Sequence, residues 1–163
     1  MLPERHDSLF LGYTLGMPRD SFYAHSWALN RQELVMQGPM NQHIQLKLDS
    51  ALTHKVTMLF YPDFNDNRVA RMRARFSYDA WAPWNRHLQA DSLLPDVVRL
   101  MTTWYGEGFQ VRTVRGPYGA PAQEYSRVDG SRRIVAGILN DTEVGVLFTD
   151  MEAQERMAAA RDE

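Results

Sequence analysis

Apolar positions along the chain follow two different spacings, and the changes between them mark out its elements. A short apolar run at residues 9–14 ends at Leu15-Gly16-Met17-Pro18. Pro18 suits the first position of a helix, and Asp20 complements the helix dipole in the first turn. A helix over 18–30 is expected, with Phe22, Ser26 and Leu29 on one face and Tyr23 and Trp27 beside it. Gly38-Pro39 breaks the chain. From Gln42 the period changes from 3.6 to 2. Ile44, Leu46 and Leu48 alternate with His43, Gln45 and Lys47, which describes a strand with one wet face. Residues 56–61 read as a second, central strand, 62–67 as a turn, and 69–78 as a third strand closing an antiparallel meander.

The second half repeats the order. Asp91-Ser92 offers an N-cap, and Leu94, Val97, Val98, Met101 and Tyr105 follow at helical spacing until Gly106 and Gly108. Strands are expected at 109–114, 124–128, 132–139 and 142–148, with hairpin turns at Asp129-Gly130 and Asn140-Asp141. The stretch 116–121 is the one long loop among them. A helix from Met151 into Ala158-Ala159-Ala160 closes the chain, its charged end fraying. The expected fold is α+β, a two-layer sandwich. A mostly antiparallel sheet of about seven strands carries two main helices on one face. All of 1–163 forms one domain, with similar helix-plus-meander halves at about 9–78 and 91–149 and a last helix at 151–160.

Composition narrows the possible functions. A chain of 163 residues, 44% apolar and 23% charged, is that of an ordinary globular domain with a core of its own. The net charge of −2 argues against nucleic acid or an anionic membrane as partner. All basic residues except Lys47 and Lys55 are arginine, which reflects codon usage as readily as a site. There is no cysteine, so disulfides, thiolate catalysis and cysteine-based zinc sites are excluded. Residues 1–7 lack the basic and apolar regions of a secretory signal. The expected compartment is therefore the cytoplasm, or the envelope if the chain is the mature part of an exported precursor.

The stretch from Gly12 through Gly16, Met17 and Pro18 to Phe22, followed by antiparallel strands, resembles the first-helix entry of small bacterial envelope domains of the SmpA/OmlA type. Tandem β-lactamase-inhibitor-like proteins are built from two such domains. This chain departs from the pattern in having no lipobox cysteine and no second Gly-Met step before its later helix. The resemblance implies an exported protein-binding or assembly module rather than an enzyme.

Candidate chemistry lies in a few segments. Asp63, Asn65 and Asn67 match positions 1, 3 and 5 of a calcium loop, but Arg68 and Ala74 stand where Gly and Glu are required, and a polar β-turn uses the same residues. Arg71, Arg73 and Arg75 alternate along one strand. They form either a solvated sheet face or a stripe that binds an acidic partner. Trp81 and Trp84, near His87, either plug the join between the halves or line a ligand or partner surface with Trp104 as neighbour. Asp79, His87 and Asp91 are close enough in sequence for an acid–base set, though their spacing equally fits a polar loop. His6, His25, His43, His54 and His87 show no metal-ligand spacing, and no nucleophile, phosphate-loop or dinucleotide motif is present. No cofactor is expected. The leading expectation is a non-catalytic module that binds another protein. The alternative is a small-ligand binder or small enzyme with an aromatic pocket between helices and sheet.

Overall fold

Pro18 lies in extended backbone (φ −62°, ψ 149°), and helix α1 (Arg19–Arg31) starts immediately after it. The computed structural model describes residues 6–38, 43–49 and 51–161, with the side chain of Arg86 excepted. Expectations that fall on Met1 to Arg5, Pro39, Gln42, Asp162 and Glu163 lie outside the described residues. Strands β1 (Met36–Gln37), β2 (Ile44–Leu48), β3 (Val56–Asn65) and β4 (Arg68–Tyr78) follow α1. Helix α2 (Ala90–Tyr105) then precedes β5 (Gln110–Arg115), β6 (Pro121–Asp129), β7 (Arg132–Ile138) and β8 (Glu143–Asp150). Helix α3 (Met151–Arg161) closes the chain, its first turn held by Asp150 Oδ1, which accepts the Glu152 and Ala153 N–H groups.

All eight strands form one antiparallel sheet, in the order β1-β2-β3-β4-β8-β7-β6-β5. The strand missing from the sequence-based expectation is β1, whose two residues are too short to show a period of 2. Strand β3 also runs through residues expected in a turn. Pairing with β2 stops at Phe60, so among the described residues Pro62 has only β4 beside it and its missing N–H is tolerated. Only Asp66 and Asn67 make the turn, both with positive φ (51° and 59°), as a tight hairpin requires. Helix α2 begins before the expected cap. Gln89 is its N-cap and Asp91-Ser92 lies inside the first turn.

The strand order reads as two meanders joined back to back. Ala74 faces Val146 at the middle of the β4–β8 ladder, so the pairing is symmetric about that point and relates positions 72 apart in sequence. Phe76 and Phe148 are related in this way, and so are Phe22 and Leu29 of α1 with Leu94 and Met101 of α2. All six are buried. The apolar face of the sheet (Met58, Phe60, Met72, Phe76, Ile134 and Phe148) and the inner stripes of α1 and α2 share one core cluster.

The gap between the halves in this layer is filled by the segment before α1. Phe10 lies 4.9 Å from Phe60, 5.7 Å from Phe148 and 5.9 Å from Trp104, ring centre to ring centre. Tyr13 continues the chain of contacts from Phe60 to Phe22. The backbone of this segment is tied to the sheet through Gly16 N–H to Val69 O (2.8 Å) and Arg19 N–H to Asn67 O (2.7 Å). The short run at 9–14 thus performs the plugging task that the sequence offered to Trp81 and Trp84.

Candidate functional site

Alternation along β4 buries Met72, Ala74 and Phe76 and sends Arg71, Arg73 and Arg75 to the opposite face, which α1 and α2 leave uncovered. The register then supplies their partners. Asp63 stands opposite Arg71 and accepts from Arg73 Nε at 2.7 Å. Arg71 Nε lies 3.3 Å from the same carboxylate oxygen, as an ion pair without hydrogen-bond alignment. Glu143 receives Arg75 through both Nε (2.9 Å) and Nη2 (2.8 Å), a bidentate fork that fixes the guanidinium plane. Across the sheet Arg112 donates through Nε (2.9 Å) and Nη2 (2.7 Å) to a single oxygen, Oε1, of Glu124.

One row crosses six strands in register: Leu59, Arg75, Gly145, Gly137, Glu124 and Arg112. At its centre two glycines face each other. A Cβ at Gly137 would meet nothing within 4 Å, whereas the space at Gly145 is already touched by Leu139. The next row adds half-buried Leu147 and Val135 beside Arg73. The result is a shallow trough with an aliphatic floor and ion-paired rims. Arg133 joins this face opposite Thr149, and among the described residues no carboxylate pairs with it. Arginines 71, 73, 75, 112 and 133 therefore outnumber Asp63, Glu124 and Glu143. The face is cationic on a chain whose net charge is −2. Where α3 leans over Arg71, a cavity of about 200 Å³ lies between Arg71, Gln154, Met157 and Arg161.

The other sequence candidates lie elsewhere. Trp81 and Trp84 sit on the connection ahead of α2, 40% and 81% exposed, and so do not plug the core. Trp104 lies at the far end of α2 against Phe10 and Tyr105, so it is not their neighbour. The His87 ring is 6.2 Å from that of His54, which stands edge-on to Tyr78. Asp79 accepts from Lys47 and Thr57, and Asp91 from the Ser92 N–H, so Asp79, His87 and Asp91 are engaged separately. Asp63 is committed to arginines, Asn65 ends β3, and Asn67 shapes the hairpin turn. Among the described residues no three or more His, Cys, Asp or Glu side chains gather as metal ligands.

Three parts of the arrangement escaped the sequence: the carboxylates opposite the arginines, the facing glycines, and a knot around Asp129. A glycine inside each of two β-patterned runs was the available signal for the trough. In the knot, Arg127 and Arg132 both bond Asp129, while Arg132 reaches Ser8 O and lies over the Tyr105 ring. Burial works to raise the Asp129 pKa, but the hydrogen bonds and charges of the two arginines outweigh it and hold the carboxyl below its ordinary value.

The fold defines an α+β protein with one open sheet face. Compared with family models, curated proteins and solved structures, the chain gives no match. Among the described residues no helix is long and apolar enough to cross a membrane.

Proposed function

We propose that this protein is a non-catalytic binding module that docks another protein on its open sheet face. The observation that carries this reading is the central row, in which a glycine trough lies between two pre-formed Arg–carboxylate pairs. Half-exposed aliphatic floor and ordered arginines combine what protein interfaces use most. Apolar area can be buried there, and guanidinium groups already held in place lose little freedom on binding. The surplus of arginine favours a partner that presents carboxylates around a protruding apolar side chain. The resemblance of residues 12–22 to envelope assembly domains points the same way and suggests the cell envelope as the compartment.

The test is cross-linking in the source cells followed by mass spectrometry, comparing the wild type with Arg73→Glu, Gly137→Trp and Trp84→Ala. A Cβ at Gly137 meets open space, so the indole can be attached there without a clash at its root, and the melting temperature checks that the fold is kept. One partner is expected to be captured by wild type and Trp84→Ala and lost from both sheet-face variants at unchanged melting temperature. Retention of every partner by both sheet-face variants would refute the proposal.

A further inference from the structure

At the β1 margin of the sheet, a cleft of about 390 Å³ separates α1 from the strands. Its helix wall carries Phe22, Tyr23 and Trp27, and Met36, Ile44 and Tyr61 face them from the sheet. Trp27 is 65% exposed and Met36 49%, so large apolar surfaces stand open inside a concavity. The described lining residues include no Asp, Glu, Lys or Arg.

Two polar side chains of the cleft are already engaged. Ser26 Oγ donates to Phe22 O at 2.8 Å and is bonded to the Tyr13 hydroxyl at 2.7 Å. Asn30 Nδ2 donates to Val35 O at 3.0 Å, which leaves the Asn30 carboxamide oxygen as an acceptor. We propose that this cleft is a binding site for a small uncharged molecule built around an aromatic or aliphatic group, with one donor for Asn30 Oδ1. The volume falls low in the range of small-molecule sites, about 300–1,000 Å³. A charged ligand would give up hydration here, and no Asp, Glu, Lys or Arg among the described lining residues would offset that loss. An added peptide strand is a poor fit, because β1 offers only two residues of edge. The site shares none of the residues of the sheet-face trough, so it stands or falls independently of the docking reading.

The probe is N-phenyl-1-naphthylamine, which is neutral and fluoresces in apolar surroundings, titrated into the full chain. Saturable binding of one probe per chain is expected, weakened at least tenfold by Trp27→Ala and by Met36→Arg and unchanged by Trp84→Ala. Both cleft positions are exposed, so matching melting temperatures separate lost binding from lost folding. The proposal is overturned by non-saturating binding, by full affinity in Trp27→Ala, or by an equal loss in Trp84→Ala. It is also overturned if sedimentation shows a dimer whose formation excludes the probe, since a second copy would then be the occupant.

Discussion

Phe10 stands edge-on to Phe60, 4.9 Å away with the ring planes at 82°, and this contact joins the segment before α1 to the centre of the sheet. Truncation there removes a ring shared by β3, β8 and α2. Phe10→Ala is expected to lower the unfolding free energy by about 3–5 kcal/mol, as for other buried aromatics. Urea denaturation followed by circular dichroism measures it. A loss below about 1 kcal/mol would mean that the segment only rests on the core.

The Asp129 knot makes stability sensitive to acid. Its carboxyl is held below the ordinary 3.8, so the folded chain binds fewer protons than the unfolded one. The contribution is complete above the unfolded pKa and is lost as pH falls through the folded pKa. Unfolding free energies measured between about pH 5 and pH 2 should fall less steeply for Asp129→Asn than for the wild type. Parallel curves would show that the arginines do not favour the charged form.

Tyr78 and Tyr105 act at the other end of the pH scale. Burial raises both phenol pKa values, and at Tyr78 a hydrogen bond donated to Asp96 Oδ2 (2.6 Å) adds to it. Groups with raised folded pKa values contribute fully below the ordinary value of 10.0, and the contribution is lost as pH rises above it. Phenolate absorbance should therefore show at least two tyrosines that ionise only together with unfolding. Tyr78→Phe should flatten the alkaline decline of stability. Free titration of all seven tyrosines in the folded chain would contradict this.

Gly12 and Gly137 should differ in how much they tolerate the same change. Gly12 has φ +83°, and a Cβ there would lie 3.0 Å from His25 Nε2, whose ring is bonded to Leu11 O. Gly12→Ala is expected to destabilise by about 1–2 kcal/mol through backbone strain alone. Gly137→Ala, with open space around it, should stay within about 0.5 kcal/mol of wild type. Thermal melts of the two variants side by side decide the point.

Elements whose register is set by their own periodicity were legible in the sequence. Ile44, Leu46 and Leu48 alternate, and Leu94, Val97 and Met101 recur at helical spacing, so β2 and α2 lie close to the expected bounds. The α+β class and the single antiparallel sheet follow from such elements. Features that depend on tertiary neighbours were not legible. Pro62 looked like a turn residue because sequence does not show that β2 has already ended beside it. Trp81 and Trp84 looked like core because large aromatics usually are, while the smaller run around Phe10 took the position between the halves. The three arginines were placed on one face by alternation alone. Their partners Asp63 and Glu143 needed the strand order, and no local pattern carries that.

The symmetric β4–β8 ladder also constrains how such a chain can arise and assemble. If the first half paired with a copy of itself through β4, Ala74 would face Ala74 and Arg73 would stand directly opposite Arg75, twice over. Like charges opposed across a ladder repel, so that homodimer would be disfavoured at its own centre. The positions equivalent to Arg71, Arg73 and Arg75 in the second half hold Glu143, Gly145 and Leu147: a counter-charge, an empty space and an aliphatic surface. The two meanders are alike in outline but complementary along the seam.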